Sequence, residues 1–155
     1  MAVEIERKFL VKPGAWTPRD AGTPFTQGYL VSQDGCVVRV RREGREAKLT
    51  IKGATTGISR LEFEYTIPEA DAAVMLDQLC GHPLIEKHRH LERHGEHTWE
   101  IDVFHGDNDG LVVAEVELTS ETDEPTRPAW LGDEVSGDPR YSNSNLRTHP
   151  FTRWR

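Results

Sequence analysis

Period-two alternation runs through most of this chain, and on strand after strand one of the two faces is almost pure charge. Residues two apart on a strand point the same way, so the alternation can be read as faces. In 3–11, Glu4, Glu6 and Lys8 share one face and Ile5, Arg7, Phe9 and Val11 the other. In 36–43, Arg39 and Arg41 oppose Val38 and Val40, and in 46–53, Lys48, Thr50 and Lys52 oppose Leu49 and Ile51. In 59–67, Arg60, Glu62 and Glu64 oppose Leu61, Phe63, Tyr65 and Ile67. Glu100 and Asp102 in 97–104, and Glu115 and Glu117 in 111–119, repeat the pattern against Trp99, Ile101 and Val103 and against Val112, Ala114, Val116 and Leu118. The run 84–94 puts Lys87 and Arg89 on one face and Glu86, His88 and His90 on the other, with an ambiguous period. A further run spans 25–32.

Gly44-Arg45 and Gly95-Glu96 read as two-residue hairpin turns, with Gly supplying positive φ. One helix interrupts the series after Pro68, with Ala72, Ala73, Leu76, Leu79 and Cys80 on one face and Gly81 as its stop. The tail from 123 onward is rich in Pro, Gly and Asp and is expected to form a short helical turn near Trp130 and another after Asn143. Eight strands with tight antiparallel connections predict a mainly β chain, α+β overall. The expected architecture is an eight-stranded antiparallel β-barrel with a few flanking helices. At 155 residues the chain is expected to be one domain over 1–155.

Two readings of the charged faces stand open on the residues alone. They are the wet faces of an antiparallel sandwich, or the lining of a barrel turned inside out. The charges come as like pairs: Glu-x-Glu, Arg-x-Arg, Lys-x-Arg, Glu-x-Asp. Like neighbours repel, and a solvated face gains nothing from that. A ligand of several charges does, since basic pairs suit a polyvalent anion and acidic pairs a divalent cation.

The same residues resemble the CYTH superfamily of triphosphate tunnel metalloenzymes. Glu4-Ile5-Glu6-Arg7-Lys8 resembles the ExExK signature. Gln27–Leu30, Arg39-Val40-Arg41, Lys52, Gly57–Glu64 (GxxRxExE), Glu86–Arg89 (EKxR), Glu100–Phe104 (EIDxF), Ala114–Glu117 and Tyr141–Leu146 (YxNxxL) follow in family order. The similarity is greatest to short bacterial inorganic triphosphatases. It implies a tunnel that binds triphosphates with Mg2+ or Mn2+. The metal set it implies is Glu4, Glu6, Glu62, Glu64, Asp102, Glu115 and Glu117, all hard oxygen donors, only one or two of which touch Mg2+ directly. The phosphate cradle is Lys8, Arg39, Arg41, Lys52, Arg60, Lys87 and Arg89, in which guanidinium forks grip phosphate oxygens. Tyr29 and Lys52 are the implied catalytic pair. Lys48 has tunnel parity without a motif match and reads as a rim residue, and Arg7 reads as a surface charge.

The implied activity is hydrolysis of inorganic tripolyphosphate to pyrophosphate and phosphate. The alternatives are thiamine-triphosphatase or class IV adenylate-cyclase-like activity, or a non-catalytic module that binds polyphosphate or nucleotide. Class IV cyclases carry a longer segment with His-Phe before ExExK, whereas three residues precede Glu4 here, so cyclisation is not expected. Phe63 and Trp99 read as packing, which leaves no stacking platform for a base. Trp16 and His105, in loops 12–24 and 105–110, are the residues that would build a base or thiamine pocket.

A net charge of −7 speaks against nucleic acid as a partner. No apolar run approaches the roughly 20 residues of a membrane span, and MAVEIERKFLV has acids where a signal peptide has bases. Cys36 and Cys80 form neither a disulfide framework nor a CxxC knuckle, which predicts a reduced, cytoplasmic setting. His88, His90, His94 and His97 crowd one hairpin. They read as wet surface histidines rather than as zinc ligands. Oligomeric state is not encoded in any motif.

Overall fold

Eight antiparallel strands close on themselves in the computed structural model, which describes residues 2–33 and 35–154. They are β1 (Val3–Val11), β2 (Thr23–Gln33), β3 (Cys36–Glu43), β4 (Glu46–Gly53), β5 (Ser59–Thr66), β6 (Ile85–His94), β7 (His97–Phe104) and β8 (Val112–Glu117). The hydrogen-bonded order is β5-β4-β3-β2-β6-β7-β8-β1, and an added β1–β5 pairing completes the ring. That seam holds three residue pairs: Val3↔Leu61, Glu4↔Arg60 and Ile5↔Ser59. No helix is long and apolar enough to cross a membrane among the described residues.

Charge lies inside the ring and apolar side chains outside. An apolar outer wall needs cover, and three separate clusters supply it. Phe9, Trp99, Ile101, Ala114 and Val116 pack beneath Trp130 and Leu131, with edge-to-face ring contacts Phe9–Trp99 at 5.6 Å and Trp99–Trp130 at 5.8 Å. Helix α1 (Glu69–Gln78) lays Ala72 and Leu76 over Val40 and Ala47. Gly28 lets it come close, since a Cβ there would stand 2.8 Å from both Cys80 Cβ and Leu84 Cδ2. Helix α2 (Asn143–Thr148) brings Leu146 onto Ile85, Phe104, Leu111 and Val113. Gly44 and Gly95 turn the two predicted hairpins at φ of 62° and 63°.

Three sequence expectations change and one strand is added. Near Trp130 the chain makes a single turn, Leu131 N–H donating to the Pro128 carbonyl at 3.1 Å, and then forms an unexpected ninth strand, β9 (Leu131–Glu134), paired to β1 at Phe9↔Glu134 and Val11↔Leu131. The reason is local: β5 leaves β1 after Ile5, and β9 takes up the vacated edge. Gly132 permits it, because a Cβ there would meet the Leu10 carbonyl at 2.9 Å. In α1, Ala73 and Leu79 are exposed, since the helix ends at Gln78 and the stripe that touches the barrel is Ala72, Leu76 and then Cys80. Phe63 is exposed rather than packed: α1 lies against β3 and β4, and among the described residues Phe63 belongs to none of the three outer clusters. His90 is not wet: it is buried, with its ring 5.2 Å from Trp16 and its Nδ1 3.3 Å from Asp20.

Candidate active site

The ring encloses a cavity of about 480 Å³. Alternation aims one residue in two at it, so its chemistry follows from strand parity. β3 contributes Arg39 and Arg41, β6 Lys87 and Arg89, β1 Glu4, Glu6 and Lys8, β4 Lys48 and Lys52, β5 Arg60, Glu62 and Glu64, and β8 Glu115 and Glu117. A bulge after Tyr29 ends the inward alternation of Phe25, Gln27 and Tyr29 on β2.

Cations crowd one side. The guanidinium carbons of Arg41 and Arg89 each lie 4.8 Å from the Phe25 ring centroid, with Lys87 Nζ at 5.8 Å. Burial, with Arg39 and Arg89 beside it, pulls the Arg41 pKa down. Burial also brings Lys87 down to about 8. These are the marks of gathered positive charge short of counter-charge. Part of it is answered by Asp102, which is fully buried. Lys87 Nζ donates to its Oδ2 at 2.7 Å, while Arg89 Nε and Nη2 donate to Oδ1 at 2.8 Å and Oδ2 at 2.9 Å. Burial alone would raise the Asp102 pKa, but Lys87 and Arg89 outweigh it and hold it low. The tail also takes part: Lys87 Nζ donates to Asn143 Oδ1 at 3.2 Å and Lys8 Nζ to the Tyr141 carbonyl at 3.1 Å. Ser142, Asn143 and Ser144 form part of the cavity wall.

Carboxylates crowd the other side, and there the register opposes like charges. Glu6 stands directly across from Glu117, and Glu100 from Glu115. Such pairs are destabilising unless something joins them. Burial, then a hydrogen bond with Glu62, raises the Glu4 carboxyl to about 7. Burial and the neighbouring Glu115 push Glu6 well above the ordinary range. Their partners go the other way. Glu62 is lowered against its burial by bonding to Glu4 and by Lys52, and Glu115 is held well below its usual value by Lys8, Arg89 and Lys87. In each pair, Glu4–Glu62 and Glu6–Glu115, one carboxyl is pushed up while its neighbour is held down, as expected of two acids brought close together. Lys52 Nζ sits 3.3 Å from Glu4 and 3.2 Å from Glu62.

The other sequence-derived residues fall into distinct places. Glu64 is drawn to the basic side by Thr50 Oγ1 at 3.0 Å, Lys48 at 3.5 Å and Arg39 at 3.7 Å. Arg60 faces Glu4 in register, and its buried Nε has no hydrogen-bond partner. Tyr29 is buried, and its hydroxyl accepts from Gln27 Nε2 at 3.1 Å. Strand β3 lies between Tyr29 and Lys52, and among the described residues no hydrogen bond joins them. Lys48 lies at the rim between Glu43 and Glu64, and Arg7 points outward to Glu134 at 2.7 Å.

The metal, cradle and catalytic sets read from the sequence leave out Glu100, Phe25 and Asn143. Parity with Asp102 marks Glu100, and parity with Gln27 and Tyr29 marks Phe25. Asn143 belongs to a motif read as structural, and nothing local signals that it reaches Lys87. Trp16 and His105 build no pocket on the tunnel. Trp16 Nε1 donates to Glu92 at 2.8 Å and His105 Nε2 meets His88 Nδ1 at 2.7 Å, both on the outer face.

The acid wall offers carboxylate oxygens alone. Among the described residues no three His, Cys, Asp or Glu side chains converge into a ready-made metal shell. Closely spaced carboxylates of this kind suit a hard ion that keeps its waters and takes one or two protein oxygens.

A closed antiparallel ring with a charged interior and an apolar exterior defines a triphosphate-tunnel fold, and the chain belongs to the CYTH family: residues 2–146 match the CYTH domain. It is 45% identical to an inorganic triphosphatase of Acetivibrio thermocellus over 100% of this chain and 99% of that protein. It is 35% identical to an inorganic triphosphatase of Nitrosomonas europaea over 92% of this chain and 95% of the relative. A solved structure of an inorganic triphosphatase, 34% identical, superposes with a TM-score of 0.63 and covers 95% of each chain.

Proposed function

We propose that this protein hydrolyses inorganic tripolyphosphate to pyrophosphate and phosphate with a divalent cation, Mg2+ or Mn2+. The observation that carries the reading is a cavity with a cationic side facing a side of closely paired carboxylates. Full-length similarity to two inorganic triphosphatases supports it.

Arg39, Arg41, Lys87, Arg89 and Lys8 would bind the phosphate oxygens, and Asp102 would hold the Lys87 and Arg89 head groups in position. Asp102 thus acts as a positioning residue, since Lys87 and the Arg89 fork engage both of its oxygens. Glu4, Glu6, Glu62 and Glu115, flanked by Glu100 and Glu117, would hold the cation. A divalent ion bound there supplies charge neutralisation to the phosphate oxygens. The transition state of phosphoryl transfer is loose, so positioning and electrostatics do most of the work. Lys52, between Glu4 and Glu62, brings a positive charge to the acid wall. Tyr29 accepts from Gln27, which leaves its own O–H to donate to a phosphate oxygen.

Tripolyphosphate fits better than a nucleotide. Phe25 is buried under Arg41 and Arg89 and presents no face to a base. The test is kcat/KM for tripolyphosphate, ATP and thiamine triphosphate under one metal condition. The reading expects tripolyphosphate to lead clearly. A preference for either organic triphosphate would overturn the substrate assignment, and no phosphate release from any of them would overturn the enzyme.

A further inference from the structure

The histidines that crowd the β6–β7 hairpin in sequence are dispersed by the fold. His90 is buried against Trp16 and Asp20, and His97 Nε2 meets Asp123 Oδ2 at 2.9 Å. His88 takes its partner from beyond the hairpin: its Nδ1 lies 2.7 Å from His105 Nε2. The two rings stand at 79° to each other with centroids 4.8 Å apart. His105 follows the last residue of β7, and its backbone N–H donates to the Glu86 carbonyl at 3.0 Å. Glu86 therefore stands across the ladder from His105 and two residues before His88, on the same outward face. It is exposed, so its carboxylate can turn toward the two rings.

Two imidazole nitrogens this close hold either a proton or an ion between them, and the ring positions suit an ion. Imidazole binds Zn2+ at about 2.0–2.1 Å, which puts the ion about 3.2 Å from each ring centre. Ligand angles between roughly 90° and 110° then set the centroids about 4.5–5.2 Å apart and the nitrogens about 2.9–3.4 Å apart. The observed centroid separation of 4.8 Å falls inside that range. A small tilt of the rings opens the nitrogens enough to admit the ion without moving either strand.

We propose that His88, His105 and Glu86 form a site for a transition-metal ion of the Zn2+ class, on the outer face of β6 and β7 and separate from the tunnel. Among the described residues no third donor is in place beside the two rings, so Glu86 turns in and water completes the shell. Imidazole with carboxylate is a donor set that such ions take, whereas Mg2+ and Mn2+ prefer the all-oxygen wall inside. Burial, with His105 and His90 nearby, lowers the His88 pKa and favours the neutral ring that ligates. The site also backs the phosphate cradle. The inward neighbours of His88 are Lys87 and Arg89, and Asp102 of β7 engages both. An ion that ties Glu86 and His88 to His105 would brace the ladder holding this cluster.

Zn2+ binding to the full-length chain tests the proposal. Glu4→Gln combined with Glu6→Gln removes competing carboxylates from the tunnel, and titration of that variant with Zn2+ should reveal a single site and a melting temperature that rises with Zn2+. His88→Gln or His105→Gln in the same background should weaken binding by about tenfold or more, and Glu86→Gln should weaken it less. His94→Gln, a hairpin histidine outside the site, should leave it unchanged. Ring signals of His88 and His105 should shift in 1H–15N spectra as Zn2+ is added, and those of His94 should not. No Zn2+ binding to the tunnel variant would overturn the proposal. Binding that survives both His88→Gln and His105→Gln, or that His94→Gln weakens equally, would overturn it too.

Discussion

The Asp102 corner and the Glu4–Glu6 corner use the same side-chain chemistry in opposite ways. Lys87 and Arg89 engage both oxygens of Asp102, whose pKa is depressed despite complete burial. Glu4 and Glu6 face other carboxylates, and their pKa values are raised. The first corner is balanced within the protein. The second is only partly balanced within the protein, by Lys52 beside Glu4 and Glu62 and by Lys8 beside Glu115. Burial is common to both, so burial does not decide which carboxylates are structural and which await a ligand; the neighbours do.

Breaking the balanced corner should have the largest effect on stability. Asp102→Asn leaves two buried cations without their partner, and loss of one member of such a set costs about 3–5 kcal/mol. Urea unfolding of the metal-free protein should register it, and a loss under about 1 kcal/mol would mean the corner is not the internally paired cluster described.

The unbalanced corner should appear in the pH dependence. The Glu4 carboxyl is raised from 4.5 to about 7, so the folded state holds a proton that the unfolded state has released. Its contribution is full below pH 4.5 and is lost as pH rises through about 7. By the usual conversion that is on the order of 3 kcal/mol. The metal-free melting temperature should therefore fall across this window, and saturating Mg2+ should flatten the fall. Asp102 works in the other direction: its depressed pKa contributes stability above its ordinary 3.8 that is lost on acidification. A metal-free melting temperature that is flat from pH 5 to 8 would refute the contrast.

Smaller effects separate the cradle from its rim. Arg39→Ala or Arg41→Ala should weaken tripolyphosphate binding by the worth of a charged contact, about 1.5–3 kcal/mol, or roughly ten- to hundredfold. Lys48→Ala, at the rim with Glu43 and Glu64, should cost much less. Comparable KM changes at all three positions would count against the assignment. The smallest stability change is expected for Glu6→Gln, which relieves repulsion. The metal-free melting temperature should hold or rise slightly while turnover falls steeply. Unchanged turnover at saturating Mg2+ and Mn2+ would remove Glu6 from the metal site.

Much of this was legible in the chain because strand parity is rigid. A residue two away from Arg39 must face the same side, so the lining from Glu4 to Glu117 could be read in one dimension. What parity does not carry is distance across the ring. Asp102 has the same parity as Glu100, and only the closed barrel reveals that Lys87 and Arg89 claim it. Cover is likewise a tertiary fact. Phe63 and Trp99 look alike in sequence, yet the Trp130 segment lies over Trp99 while Phe63 stays 42% exposed. β9 escaped notice because four residues, one a Gly, show no alternation, and their pairing depends on the edge that β5 leaves open.

Proton release on metal binding tests the central claim most directly. If the Glu4–Glu62 and Glu6–Glu115 pairs hold protons in place of a cation, adding Mg2+ or Mn2+ to weakly buffered, metal-free protein near pH 6 must expel them. The account predicts a saturable release of up to one proton per pair from the wild-type chain, sharply reduced in Glu4→Gln with Glu6→Gln and preserved in Arg41→Ala. Metal binding without proton release from the wild type, or equal release from the double variant, would contradict it.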